Sequence, residues 1–131
     1  MKLHHVGIAV ESLSEAVPIF EKLLGQRPTL EETVEDQKSR VAAFNAGECR
    51  IELLEATSPE SPIAHFIAKR GPGIHHLTLE VEKLAESLAR LEESGIRLID
   101  PVPRKGAGGE RIAFLHPKST AGVLIELLET K

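Results

Sequence analysis

At 131 residues the chain is long enough to bury the core of one ordinary domain, and its single cysteine, Cys49, excludes an intrachain disulfide. A net charge of −4 and the lack of tyrosine and tryptophan argue against a nucleic-acid partner, because phosphates need basic surfaces and bases need stacking platforms. No charged segment leads into a long apolar run, so we expect neither a signal peptide nor a membrane span, and a cytoplasmic protein.

The first half of the chain predicts a strand, a helix and three further strands. Residues 3–10 are rich in β-branched and aliphatic side chains, and Ser12 opens a capping box that precedes apolar residues at helical spacing up to Gly25. Pro18 falls inside this helical pattern, where it removes a backbone donor, so we expect a late start or a bend. Strand-like stretches follow at residues 27–34, 39–45 and 49–56.

The second half repeats this plan after a short helix at residues 63–68, which ends at the Gly-Pro-Gly sequence of residues 71–73. Residues 104–110 are glycine-rich and form either a mobile flap or a long hairpin, of which the hairpin is favoured. The remaining elements are a strand at 74–81, a helix that ends at Gly95, and strands at 97–99, 111–116 and 123–128.

These elements predict an α+β fold made of two βαβββ modules that form a cupped mixed sheet around one metal site. We expect one domain over residues 1–131. Module 1 covers residues 1–57, a linking helix covers 58–72, and module 2 covers 73–131.

The two modules share sequence as well as pattern. Residues 4–13 return as residues 75–84, with His5 and His76 separated by 71 positions, and residues 51–55 return unchanged as 125–129, with Glu52 and Glu126 separated by 74 positions. If the modules pack about a pseudo-twofold axis, two imidazoles and two carboxylates converge on one point. That set of nitrogen and oxygen ligands predicts a divalent metal centre.

Strand alternation selects among the neighbouring histidines. His5 shares its face with Gly7 and Ala9, whereas His4 shares its face with bulky aliphatic residues that must pack under a helix. We therefore expect His5 and His76 to line a cavity, and His4 and His75 to serve in packing or in support of the site.

The glutamates carry the stronger evidence. Glu126 lies in an otherwise aliphatic strand, where an ionised carboxylate costs several kcal/mol unless it is compensated, and a cation is the simplest compensation. Glu52 has the same setting, although Arg50 on its own face allows a plain salt bridge instead. Glu55 and Glu129 close their strands, so we expect them to be solvated.

Three further stretches, at residues 70–76, 106–109 and 114–127, carry a Pro-Gly-x-His-His sequence, a glycine cluster and a His-Pro-Lys-Ser sequence. With the paired modules they resemble the vicinal oxygen chelate superfamily and, within it, the methylmalonyl-CoA epimerase family, over nearly the entire chain. The resemblance implies an isomerase that interconverts (2R)- and (2S)-methylmalonyl-CoA through an enolate, after metal-assisted removal of the C2 proton. It also implies an acyl-CoA substrate and a homodimer.

The resemblance assigns roles to particular residues. It implies one divalent ion per chain, with Co²⁺ favoured and Mn²⁺, Ni²⁺, Zn²⁺ and Fe²⁺ open, and Glu126 as a base that also binds the ion. Val41 stands where some members have a second catalytic glutamate, so Glu52, Glu35, Asp36 or a metal-bound water remain open for that role. The implied ligands are His5, Glu52, His76 and Glu126, with Glu126 and Glu52 as catalytic residues. The implied substrate-binding residues are Lys118, Ser119, Thr120 and Gly108.

Two alternatives share the fold. Glyoxalase I uses a nearly identical ligand set on a glutathione thiohemiacetal, and the His-Pro-Lys-Ser sequence favours the epimerase over it. A metal-free module that binds small molecules has no reason to keep acids inside aliphatic strands, so Glu52 and Glu126 count against it.

Overall fold

The computed structural model describes residues 1–130, so Lys131, the last residue of the predicted module 2, lies outside them. Contacts between Cα atoms divide the chain into two compact units. The N-terminal unit is His5–His75, and the C-terminal unit combines Met1–His4 with the described residues from His76 onward. In the part of the chain that is described, none of the helices combines the length and apolar character needed to cross a bilayer.

The first module and the helix after it run in the order β1 (Lys2–Ala9), α1 (Leu13–Leu24), β2 (Leu30–Val34), β3 (Ser39–Ala46), β4 (Cys49–Ala56) and α2 (Pro62–Arg70). The strands are arranged in the order β2-β3-β4-β1. Strand β3 is antiparallel to both β2 and β4, whereas β1 and β4 are parallel because α1 returns the chain to the starting edge.

The second module consists of β5 (Gly73–Val81), α3 (Leu84–Glu93), β6 (Arg104–Lys105), β7 (Arg111–Leu115) and β8 (Ile125–Glu129). Its strand order is β5-β8-β7-β6, with β5 parallel to β8 and the other pairs antiparallel. The predicted α+β fold of two βαβββ modules is therefore confirmed.

Each unit buries its own apolar clusters. In the N-terminal unit, α1 packs through Leu13 and Ala16 against Val10, Phe44 and other strand residues, so the bulky face of β1 lies under a helix as predicted. In the C-terminal unit, α3 packs through Leu84 and Leu88 against the strands. The buried strand members of this second cluster are Val81, Ala113, Leu115 and Leu127.

The face of β1 that carries small residues is partly covered by apolar side chains. Ala9, at the end of that face, packs with Val41, Leu54 and Ile63, and Ile63 comes from α2. Helix α2 is the short helix predicted at residues 63–68, and its start is fixed by Ser61, whose Oγ accepts a hydrogen bond of 3.2 Å from the amide of Ile63. The polar residues on this strand face therefore lie toward the His5 end.

Two predicted strands differ from the structure. Strand β2 begins at Leu30 rather than at residue 27, because Pro28 has no amide to donate to the sheet. Residues 97–99 do not form a strand; they make a single bridge between Leu98 and Leu115. The reason is Asp100, whose Oδ2 accepts the Phe114 amide at 2.9 Å and so replaces a backbone partner. Residues 104–110 form the favoured hairpin, in which β6 pairs with β7.

The starts of α1 and α3 also correct the sequence analysis. Helix α1 begins at Leu13 with Pro18 in its interior on an exposed position, so the late start is wrong. The predicted capping box is absent because Ser12 makes no capping hydrogen bond. Instead, Glu55 Oε1 accepts a 2.6 Å hydrogen bond from the Leu13 amide, and Glu129 Oε2 accepts one of 3.0 Å from the Leu84 amide. These two glutamates, which were expected to be solvated, are half-buried and hold the first amides of the two helices.

Candidate metal and acid–base centre

In the N-terminal unit, His5 and Glu52 lie side by side on the parallel strands β1 and β4. The residue of β1 in register with Glu52 is Gly7, which has no side chain to separate them. His5 Nε2 is 3.3 Å from Glu52 Oε1, and the residues are 4% and 6% exposed, respectively. The sequence thus brings an imidazole and a carboxylate together in a buried position.

Arg50 contacts the other oxygen of the same carboxylate. Its Nη2 lies 3.4 Å from Glu52 Oε2, and the side chains of Arg50 and Glu52 are 26% and 7% exposed. The Arg50 Nε atom is buried and makes no hydrogen bond to the described residues. Glu52 is therefore compensated on one side by a cation and faces an imidazole on the other.

In the C-terminal unit, the equivalent pair is His76 and Glu126 on β5 and β8. His76 Nε2 lies 3.5 Å from Glu126 Oε1, and both residues are 6% exposed. Thr78, the register partner of Glu126, is fully buried and donates a 2.5 Å hydrogen bond from its Oγ1 to Glu126 Oε1. The His76 ring meets Phe114 edge to face, with 5.9 Å between ring centroids.

All four proposed ligands are buried, with 4–6% of each residue exposed. His5 lies beside Glu52 in the N-terminal unit, and His76 lies beside Glu126 in the C-terminal unit. Imidazole nitrogens and carboxylate oxygens are ligands that divalent transition metals accept, so these residues fit such an ion.

The neighbouring histidines, His4 and His75, are less buried than His5 and His76. His75 is partly buried, and its ring meets the Phe66 ring of α2 edge to face, with centroids 5.0 Å apart. His4 is also partly buried. For His75, the contact with Phe66 agrees with the packing role expected from strand alternation.

The residues predicted to bind substrate lie in two loops of the C-terminal unit. Ser119 Oγ accepts a hydrogen bond of 2.9 Å from the Arg97 amide, and Thr120 Oγ1 donates one of 2.6 Å to the Val123 carbonyl. Lys118 is exposed in the short 3₁₀ turn at Pro117–Ser119. The two hydroxyls therefore help to hold the loop that presents Lys118.

Gly108 lies in the turn between β6 and β7. Its φ of +78° is in the left-handed region, and a Cβ placed on it would be 2.7 Å from Glu110 Oε1. The backbone conformation therefore favours glycine, whereas the nearby Glu110 carboxylate ends a flexible side chain that is able to move aside.

The burial of the candidate residues limits which of them can be the second acid or base. Val41 is 3% exposed within the apolar cluster that includes Ala9 and Leu54, so it offers no proton-transfer group. Glu35 and Asp36 are exposed in the 3₁₀ turn Glu35–Gln37. Glu52, in contrast, is buried beside His5.

Thr78 is the site residue that the sequence analysis missed. The sequence does contain an indication of this role, because Thr78 is a polar residue two positions after His76 and therefore lies on the same face of β5. Gly7 takes the equivalent place in the repeat, so the repeat alone does not mark Thr78 as a site residue.

Comparison with known proteins identifies the class. A sequence model of the Glyoxalase/Bleomycin resistance protein/Dioxygenase superfamily matches residues 4–114, and the chain belongs to this superfamily. The mitochondrial methylmalonyl-CoA epimerase of Dictyostelium discoideum is 38% identical over 131 residues, which cover 98% of this chain and 78% of that protein. The resemblance to the methylmalonyl-CoA epimerase family is therefore confirmed.

Solved structures agree with this assignment. The crystal structure of methylmalonyl-CoA epimerase from Mycobacterium tuberculosis superposes with a TM-score of 0.94 at 39% identity, covering 99% of this chain and 88% of the other. A variant of the Streptomyces coelicolor methylmalonyl-CoA epimerase with one serine replaced by threonine, in complex with 2-nitronate-propionyl-CoA, gives a TM-score of 0.93 at 32% identity, covering 99% and 94%. The predicted vicinal oxygen chelate fold is confirmed by these matches.

Proposed function

We propose that this protein is an isomerase that interconverts (2R)- and (2S)-methylmalonyl-CoA. The observation that carries the proposal is the duplicated pair of buried histidine and glutamate side chains, in a chain whose relatives are methylmalonyl-CoA epimerases. An epimerase must remove a proton from C2 and return one to the opposite face. Two carboxylates on separate strands are suited to that task.

We further propose that His5, Glu52, His76 and Glu126 hold one divalent metal ion per chain, with Co²⁺ favoured and Mn²⁺, Ni²⁺, Zn²⁺ and Fe²⁺ as alternatives. Buried carboxylates next to imidazoles support this proposal, because a cation offsets the cost of burying their charge. When bound, such an ion acts as a Lewis acid toward the thioester and carboxylate oxygens of the substrate.

In the proposed reaction, Glu126 takes the C2 proton as the C2–H bond breaks and its electron pair moves into the enolate. Glu52, which enters this step carrying a proton, gives that proton to the other face of C2, and the two glutamates exchange roles in the reverse direction. The apolar surroundings of Val41 leave Glu52 as the buried carboxylate available for this step in the N-terminal unit, since Glu35 and Asp36 are exposed. Because the proton leaves from one face of C2 and another is added to the opposite face, the stereocentre is inverted.

The acyl-CoA substrate is bound, in this proposal, by Lys118, Ser119, Thr120 and Gly108. The ammonium group of Lys118 suits a phosphate or carboxylate, and the hydroxyls of Ser119 and Thr120 suit the same groups. We also propose that residues 1–131 act as a single domain in a cytoplasmic homodimer, without nucleic-acid or membrane partners.

The test is hydrogen exchange at C2 of methylmalonyl-CoA in D₂O, followed by mass spectrometry. We expect the metal-loaded protein to incorporate deuterium, and a chelator to suppress the incorporation. We expect Glu126→Gln to abolish exchange with one equivalent of metal still bound, whereas Glu129→Gln, a matched change three positions later, retains it. Absence of exchange in the metal-loaded wild type would refute the function, and exchange by Glu126→Gln would refute its role as base.

The same preparation distinguishes the glyoxalase alternative. We expect no conversion of the methylglyoxal–glutathione thiohemiacetal under conditions in which methylmalonyl-CoA exchanges. Turnover of the thiohemiacetal without C2 exchange would assign the site to the other reaction.

A further inference from the structure

The two duplicated glutamates have different polar partners: an ion pair for Glu52 and a hydrogen bond for Glu126. Glu52 is contacted by the guanidinium group of Arg50, with Nη2 3.4 Å from Oε2. Glu126 is contacted by the hydroxyl of Thr78, with Oγ1 2.5 Å from Oε1. Glu52 and Glu126 occupy equivalent positions in the repeat, but Arg50 contacts the first and Thr78 contacts the second.

The strand register shows that the difference is built into the sequence. Gly7 is the register partner of Glu52, and Thr78 is the register partner of Glu126. Gly7 has no side chain to offer, so Glu52 takes its partner from Arg50, two positions earlier on its own strand. The residue two positions before Glu126 is Leu124, which cannot form an ion pair.

The chemistry of the two partners differs in a way that matters for proton transfer. A guanidinium group has donors only, so it offers no acceptor to a carboxyl group that carries a proton. A hydroxyl group both donates and accepts. Thr78 is therefore able to donate to the Glu126 carboxylate and to accept from the carboxylic acid that forms when Glu126 takes a proton.

Because Thr78 is buried, the direction of its hydrogen bond to Glu126 is fixed. Thr78 is completely buried, so water has no access to its side chain, and a β-branched residue in a strand has restricted χ1 freedom. The hydroxyl thus fixes one oxygen of Glu126 from a rigid position on the neighbouring strand. That oxygen is also the one 3.5 Å from His76 Nε2.

We propose that Thr78 is a positioning residue for the reaction: it orients the Glu126 carboxylate for proton transfer and remains its partner after the proton has been taken. The proposal rests on the proposed epimerase function. The proposal also distinguishes the two glutamates. Arg50 holds Glu52 through an ion pair, whereas Thr78 holds Glu126 through a hydrogen bond that can persist when Glu126 is protonated.

The experiment compares Thr78→Val, which keeps the shape and removes the hydroxyl, with Thr78→Ser, which keeps the hydroxyl. Metal-loaded proteins are assayed for epimerisation, for metal content and for thermal unfolding. We expect Thr78→Val to lower kcat at least tenfold, with KM for methylmalonyl-CoA within threefold of wild type and one metal ion per chain retained. We expect Thr78→Ser to restore kcat to within threefold.

Thr29→Val is the matched control. Thr29 Oγ1 donates a 3.3 Å hydrogen bond to the Ala43 carbonyl, so this variant also loses a threonine hydroxyl bond, and we expect its kcat to be unchanged. If Thr78→Val keeps the wild-type kcat, or if Thr78→Ser loses as much kcat as Thr78→Val, the positioning role is overturned. Failure of the epimerase proposal is distinguished from both, because the wild type would then show no C2 exchange.

Discussion

The ion pair between Arg50 and Glu52 offers a test that separates a plain salt bridge from a metal-binding carboxylate. Replacing Arg50 with methionine removes the charge and keeps an apolar stem of similar length. Loss of one partner of a buried pair costs about 3–5 kcal/mol, and Arg50 is 26% exposed, so we expect a loss of about 2 kcal/mol in the metal-free protein. At about 2.1 cal/mol/K of unfolding entropy per residue, this loss lowers Tm by about 7 °C.

The same substitution has a smaller effect when metal is bound, if Glu52 is a ligand. The ion then compensates the carboxylate that Arg50 no longer contacts, and we expect the loss to fall to about 1 kcal/mol or less, or about 3–4 °C in Tm. By linkage, Arg50→Met binds the ion roughly fivefold more tightly than wild type. Differential scanning calorimetry with Co²⁺ and with chelator measures the stability difference, and a metal titration measures the affinity.

Arg111→Met is the matched control for this experiment. Arg111 Nη1 lies 3.0 Å from Glu129 Oε1, but the Arg111 side chain is 56% exposed, so its loss is expected to cost less than about 1 kcal/mol in either metal state. An equal drop in Tm for Arg50→Met with and without metal would contradict the reasoning. It would mean that Glu52 and Arg50 form a structural salt bridge and that Glu52 is not a ligand.

Two further predictions concern stability. We expect Glu55→Ala and Glu129→Ala each to cost about 1–2 kcal/mol in urea unfolding, because each removes the acceptor at the first amide of a helix, whereas the exposed Glu48→Ala costs less than about 0.5 kcal/mol. Equal losses in all three variants would contradict the capping role. We expect Gly108→Ala to cost about 1–2 kcal/mol from its left-handed backbone, with additional Glu110→Ala relieving only the side-chain contact. An unchanged urea midpoint for Gly108→Ala would show that the turn adapts.

The fold was predictable because its signals are local. Strand β4 has the predicted bounds Cys49–Ala56, and α3 presents the predicted leucines on one face, since alternation and helical spacing are properties of adjacent residues. The internal repeat then predicted the second module from the first. Strand alternation also placed His5 on the buried small-residue face of β1.

The contacts between distant residues were not predictable in the same way. Ser12 has the sequence of a capping residue, yet the Leu13 amide is satisfied by Glu55, which lies 42 positions later in the chain. The sequence at residues 97–99 predicts a strand, but the side chain of Asp100 takes the Phe114 amide. In both cases a side chain from another element outcompetes the local pattern.

For the candidate site too, the sequence predicts which residues belong to it but not which residues contact them. The repeat predicted that His5, Glu52, His76 and Glu126 are equivalent in pairs, and the structure brings each histidine within 3.5 Å of its glutamate. The repeat could not predict that the pairs differ in their support. That difference depends on Thr78 at a position where the first module has Gly7.

The most direct test of the metal centre is an anomalous difference map from crystals of the Co²⁺-loaded protein, recorded above the cobalt absorption edge. We expect one peak per chain, about 2.0–2.2 Å from a ring nitrogen of His5 and of His76 and from a carboxylate oxygen of Glu52 and of Glu126. A map without such a peak, or with a peak that lacks any of these four contacts, would contradict the proposed site.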